Sequence, residues 1–313
     1  MFTCCGGRAA PFPRTLSSQL QSRRRRSTFQ AAFVSIAFAF LLKGVVDAWS
    51  QADGSLFPDL VTLGASAALW IVGLRAALFS WVHLLGCRNR EITRGFLLSQ
   101  VTKYVPGGFW QGISLVKSGI DAGVPARGAS LAYVAFALTQ LAAAAPLSLS
   151  LLAVQDVDTL VRVAAVVAFG AIVLLDRRLM AIVVRRLPES AGVTVETLPS
   201  QRRILGAWVG NVVSLACSSW AFLLLYADVA ADSSGRVVGA FALAWFVGFA
   251  VAVVPAGLGL REVVLLAVLG AGVGGELVLT ASAYHRLVLL VVEALVAGAV
   301  LIGWRRSTRR KGT

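Results

Sequence analysis

Two short breaks interrupt a chain that is otherwise a train of membrane-length apolar runs. They are Lys103-Tyr104-Val105-Pro106-Gly107-Gly108-Phe109-Trp110 and Val254-Pro255-Ala256-Gly257-Leu258-Gly259-Leu260-Arg261-Glu262. A bilayer crossing takes ~20 apolar residues. Runs of that order lie at about 29–46, 60–85, 129–154, 160–175, 204–226, 237–254 and 287–304, with a half-length run at 263–273. Proline and glycine make one straight helix through either break improbable. Broken backbone survives at membrane depth only where protein or a wet cavity covers it. The breaks stand nearly half the chain apart, each beside charged residues. A matched pair of this kind points to a central binding or transport site; the alternative is a pair of ordinary turns at the membrane surface.

Composition agrees with the runs. Of 313 residues, 58% are hydrophobic and 14% charged, and mean hydropathy is +0.79. Soluble domains are about a quarter charged, so this sequence has too little polar surface to coat a globule. The net charge of +14 sits in loops and tails beside apolar spans. It therefore reads as membrane topology and contact with anionic lipid, not as nucleic-acid binding. His83, His285, Cys4, Cys5, Cys87 and Cys217 form no CxxC or HExxH spacing, so neither a metal nor another cofactor is expected.

The expected fold is all-α and polytopic, with about eight transmembrane helices and one or two re-entrant or broken segments. Residues 1–28 read as a disordered basic tail, 29–304 as the membrane domain and 305–313 as a second basic tail. Basic residues cluster at 8–26, 88–94, 176–203 and 305–311, and acids at 47–59, 156–158 and 228–232. The positive-inside bias puts the basic clusters and both termini in the cytoplasm. The signs alternate without conflict if the first break enters and leaves from the cytoplasmic side. The longest polar stretch, about 176–203, falls below the ~50 residues of a small domain, so no soluble catalytic domain is expected.

Charged side chains inside apolar spans cost about 2.5–3.5 kcal/mol each on insertion scales. Lys103, Arg261, Glu262, Arg286 and Glu293 are the candidates. Arg286 and Glu293 share one helix face about two turns apart. They are too distant to pair, so each needs a partner from Lys103, Arg261 or Glu262. Together these residues suggest a polar pocket whose Arg and Lys side chains hold a phosphate, with free N–H groups at helix ends beside the glycines. The competing reading is snorkelling, with Lys103 and Arg261 near the cytoplasmic face and Arg286 near the outer one. Arg75 and Lys43 read as snorkellers, Lys117 and Arg127 as solvated turn residues, His83 as a surface residue and His285 as a weak proton-relay candidate. Tyr104, Phe109 and Trp110 suit interface anchoring as well as ligand contact.

Lys103 to Trp110 resembles the KYxPGxxW segment of the lysylphosphatidylglycerol synthase transmembrane-region family. Pro255 to Glu262 resembles its PGGLGxRE segment, and Ala283-Tyr284-His285-Arg286-Leu287 with Glu293 is similar to its YRL…E final helix. The resemblance covers about 96–304. It implies a stand-alone flippase-like membrane protein that moves a phospholipid or lipid-linked headgroup across the cell membrane, without the family's separate synthase domain. The headgroup site it implies takes in Lys103, Tyr104, Gly107, Gly108, Trp110, Gly257, Gly259, Arg261, Glu262, Arg286 and Glu293. Ala256 replaces the more usual glycine, and Thr139-Gln140 stands where many members carry an acid. Membrane lipids, anionic phospholipid or a lipid-linked headgroup, are the implied partners, and a homo-oligomer is compatible with the sequence. A membrane-embedded transferase acting on a polyprenyl-phosphate or phospholipid would need an acidic metal-binding cluster on a cytoplasmic loop. The closely spaced Asp156 and Asp158 fall instead on the expected outer side, so the chain reads as a non-enzyme. A non-transporting membrane scaffold is the other alternative.

Overall fold

A computed structural model describes residues 58–104, 110–153, 158–185, 197–227, 233–251 and 259–310. The described residues form ten α-helices and no strand. They are α1 (Leu60–Leu85), α2 (Arg90–Thr102), α3 (Trp110–Asp121), α4 (Ala126–Ser148), α5 (Thr159–Gly170), α6 (Arg177–Arg185), α7 (Gln201–Ala227), α8 (Ser234–Ala250), α9 (Leu260–Val273) and α10 (Gly275–Arg310). Four helical stretches are long and apolar enough to cross a membrane: Leu60–Leu85, Ala126–Leu152, Gln201–Ala227 and Gly275–Gly303. Thr159–Val173 and Ser234–Ala250 are shorter apolar helices. The expected run at 29–46 lies outside the described residues, as do Pro106, Gly107, Gly108, Pro255 and Gly257. Many large apolar side chains face outward, among them Val163, Val166, Val167 and Phe169 on α5 and Leu295 on α10. A surface of that kind suits hydrocarbon and not water.

Helix ends follow local chemistry. Asp59 caps α1 by accepting a 2.7 Å hydrogen bond from the Thr62 N–H. That bond holds its carboxyl below the usual carboxylate range, so the cap is intact at neutral pH and is lost as pH falls through the lowered value. Asn89 caps α2 through the Ile92 N–H. Gly86, at φ 69°, closes α1 in the left-handed region that glycine tolerates best. Pro146 lies inside α4, and the chain tightens to a 3₁₀ turn at Leu149–Ala153.

Small residues set the closest helix pair. Gly206, Gly210, Ser214 and Ser218 recur every fourth residue on α7, the spacing that lets membrane helices approach. Gly206, Gly210 and Ser214 meet His83, Ser80 and Gly73 of α1. A Cβ on Gly73 would lie 3.0 Å from the Ser214 carbonyl oxygen. Ser80 donates to the Ala207 carbonyl at 2.8 Å and Ser66 to the Ala221 carbonyl at 3.2 Å. Helix α4 packs on the other side of α7, where Trp208 donates to the Ala142 carbonyl at 3.0 Å. A second apolar core joins α8, α9 and the start of α10 around Phe241, Leu243 and Leu269.

The first break separates α2 and α3, which pack against each other. The second separates α8 and α9, which do the same. One expectation is corrected. The last span does not begin near 287: α10 is continuous from Gly275 and runs on through the basic residues to Arg310. Arg286 therefore lies more than ten residues into an apolar helix and not at its end. The polar run from Tyr284 to Arg286 does not stop the helix because its neighbours satisfy it. The buried His285 places Nε2 3.1 Å from the Ser218 carbonyl oxygen.

Candidate functional site

The site is built on α10, where Ser282, His285 and Glu293 are buried. Glu293 is 1% exposed, and an isolated carboxylate at that depth would be strongly unfavourable. Lys103, at the C-terminal end of α2, brings its Nζ to 2.5 Å from Glu293 Oε1. Cations are favoured at helix C-termini, where carbonyls lack partners. The same ammonium sits 5.4 Å from the Trp70 ring centre and 5.3 Å from that of Tyr104. Ion pair and rings together tie α1, α2 and α10 to one point.

Arg286 makes the second pair. Its Nη2 lies 2.7 Å from Glu262 Oε1 and 3.0 Å from Oε2. Glu262 stands in the first turn of α9, where an acid offsets the positive helix end. Its carboxylate accepts from the Gly259 N–H at 2.9 Å and from the Ser282 hydroxyl at 3.0 Å. Gly259 has φ 81°, so the turn into α9 uses a conformation that a side chain would strain. The start of α9 is thus fastened to α10 through one carboxylate.

Arg261, beside Glu262, is different. Among the described residues no acid pairs with it, and its buried Nε has no hydrogen-bond partner. Its guanidinium lies 5.9 Å from the Trp245 ring centre. Gly248 makes room for its stem, since a Cβ there would fall 2.7 Å from Arg261 Cγ.

Lys103, Tyr104, Arg261 and Arg286 line a single cavity of about 340 Å³ among the helices. Gln100, Gln140 and Asn211 add polar groups to its wall, and Trp70, Tyr133 and Trp245 add aromatic ones. Asn211 is buried, and its Nδ2 donates to Thr139 Oγ1 at 2.9 Å; its Oδ1 is buried without a partner. Among the described residues three cations line the cavity, and Glu262 and Glu293 pair with two of them.

Of the residues expected at the site, the structure brings together Lys103, Tyr104, Arg261, Glu262, Arg286 and Glu293. Gly259 supports Glu262 from the turn. Trp110 opens α3 and is not part of the cavity lining. Gly107, Gly108 and Gly257 lie outside the described residues. The expectation that Arg286 and Glu293 each take a separate partner holds, and burial of Glu293 argues against snorkelling there. Arg75 and Arg127 are exposed. Lys117 is also exposed but lies within α3 and not in a turn, 2.6 Å from Asp121. His83 is half-buried and stacks on Phe79 at 5.3 Å. His285 is a core residue, edge-on to Phe241 at 4.8 Å. Trp70, Gln100, Tyr133, Asn211 and Trp245 escaped the sequence reading. A polar Asn within a small-residue stripe was the one available signal, and Gln140 was noted only as a replacement for an acid.

Comparison with known proteins does not extend this picture: no family model matches the chain, and no curated protein matches it. The described residues hold no group of three His, Cys, Asp or Glu side chains placed to grip a metal ion.

Proposed function

We propose that this protein is a flippase-like carrier that moves a phospholipid or lipid-linked headgroup between leaflets. The observation that carries the reading is a cavity of about 340 Å³ lined by Lys103, Arg261 and Arg286 and set among helices whose outer faces are apolar. Intramembrane ionisable residues that face a bundle interior mark substrate paths more often than structure alone. Helix ends at both breaks converge there, as at the midplane sites of carriers built on broken helices. The motif resemblance to the lysylphosphatidylglycerol synthase transmembrane region supports the same reading. The test is leaflet exchange by purified protein in liposomes carrying several labelled headgroups. Protein-dependent exchange of at least one is expected, and none above protein-free liposomes would overturn the proposal.

The proposal includes about eight crossings, a re-entrant α2–α3 hairpin entered from the cytoplasm, the cell membrane as location and both termini inside. Charge alternation along the sequence supports this arrangement. Single cysteines in a variant lacking the native four report it directly. A cysteine at position 311 should react only after the membrane is opened. Labelling of that position from outside intact cells would reverse the orientation.

A further inference from the structure

A second polar site lies away from the central cavity, at the basic end of the bundle. Arg88, Arg90 and Arg94 line a groove of about 510 Å³ between the start of α2 and Val300 of α10. Among the described residues no acid lines it. Glu91 lies 3.7 Å from Arg94, which offsets one charge of the three. Arg88 and Arg90 are exposed. A fourth cation, Arg203 of α7, lies against Gly86 in the same turn as Arg88. The wall is not polar throughout. Arg90, Arg94, Leu97 and Val101 follow one stripe of α2. That stripe is basic in its first part and apolar in its second. Leu97 lines the groove beside Val300, and Val101 is 44% exposed. A soluble anion would use the arginines and leave the apolar half bare. A lipid uses both, with phosphate at the arginines and acyl chains along Leu97 and Val101.

We infer that this groove holds a dianionic phospholipid of the cardiolipin class, whose head is two phosphodiesters joined by glycerol. The lipid enters sideways from the cytoplasmic leaflet, the side to which the charge alternation assigns these arginines. The inference rests on membrane embedding and not on the carrier role. Two negative charges match three arginines set against Glu91. Arg90 and Arg94 stand one turn apart, about 6 Å, and Arg88 precedes the helix. Charge spread in this way suits two separated phosphates better than one. Basic pockets between helices at the cytoplasmic face favour such heads, because the arginines there add to the pull of the bundle's apolar side on the chains. The volume equals that of about seventeen waters at ~30 Å³ each, which leaves room for the head. A lipid seated there touches α2 and α10, the two helices that Lys103 and Glu293 join about two turns deeper.

The test uses delipidated full-length protein in detergent. It is titrated with cardiolipin, phosphatidylglycerol and phosphatidylcholine at equal total phosphate, and bound lipid is followed by native mass spectrometry. Cardiolipin should bind at least about fivefold more tightly than phosphatidylglycerol, and phosphatidylcholine should not compete with it. One arginine near an anionic surface is worth about fivefold. Arg88→Gln with Arg90→Gln should therefore weaken cardiolipin by about twenty-five-fold. The lipid-free melting midpoint should not move, since neither side chain forms an ion pair among the described residues. Arg88→Lys with Arg90→Lys should keep most of the affinity. Arg127→Gln with Arg178→Gln removes two other exposed charges and should leave binding unchanged. Equal affinity for cardiolipin and phosphatidylglycerol would overturn the inference, as would an equal loss in the Arg127 and Arg178 variant. Displacement of cardiolipin by the same concentration of inorganic phosphate would assign the groove to a soluble anion and overturn it too. Leaflet exchange plays no part in the readout, so failure of the carrier proposal would leave this result standing.

Discussion

Lys103→Met is expected to destabilise the folded protein by about 3–5 kcal/mol, the cost of breaking a buried ion pair from one side. The two partners are unequally placed. Glu293 has a side-chain exposure of 1% and Lys103 of 23%. Removing the cation leaves a carboxylate with almost no access to water. Removing the acid, as in Glu293→Gln, leaves an ammonium that retains some water and the faces of Trp70 and Tyr104. The acid substitution should therefore be the milder of the two. Replacing both, with Lys103→Met and Glu293→Leu, should recover most of the loss, since an apolar pair of similar volume often substitutes without penalty. Unfolding midpoints in detergent for the wild type, the two singles and the double form a cycle that isolates the pairwise coupling. An additive double variant would show that the two residues do not stabilise one another.

Arg286→Ala should remove lipid exchange while the protein still inserts and folds. Truncating one side of a buried, hydrogen-bonded charge pair costs roughly 2–5 kcal/mol, which is more than tenfold in any step that needs the pair intact. Glu262 would keep the Gly259 N–H and the Ser282 hydroxyl but lose its cation. The cavity would then hold two cations against two carboxylates, and its attraction for an anionic head would fall. Arg286→Lys should restore exchange in part. Arg286 spans both oxygens of Glu262 through one nitrogen, and a compact ammonium on a different stem supplies the charge without that placement. If Arg286 merely reached the interface, alanine there would leave exchange at the wild-type rate.

The reach of the sequence is clearest in α1, α7 and α10. Hydropathy alone marks α1, whose bounds match the apolar run, because Arg75 is the one charged residue within it and no proline or charge cluster breaks it. It places α7 to within a few residues, since the polar Gln201, Arg202 and Arg203 lie at its start. It fails at the start of α10, because Tyr284, His285 and Arg286 look like a boundary when their partners are unknown. A periodic pattern records how polar a residue is but not what stands opposite it. The need of Arg286 and Glu293 for counter-ions was legible, as buried charge without a partner is prohibitive. Which acid meets which cation was not, since Lys103 and Glu293 meet across 190 positions of chain. Asn211 and Trp70 were illegible for the same reason. Their meaning comes from helices that pack beside them, and neither belongs to a charged motif.

The interlocked seam between α1 and α7 has a mechanical consequence. Its backbones approach across Gly73 and Ser214, and Ser66 and Ser80 bond directly to the opposite main chain. Sliding one helix past the other would break several main-chain contacts at once and bring new side chains against backbone atoms. Helices α2 and α9 each carry one ion pair to α10, Lys103 to Glu293 and Glu262 to Arg286, and α9 also packs on it through apolar side chains. If the proposed carrier role holds, rocking that admits and releases a bulky head would spare the α1–α7 seam, the stator of that motion, and move α2 and α9 against it.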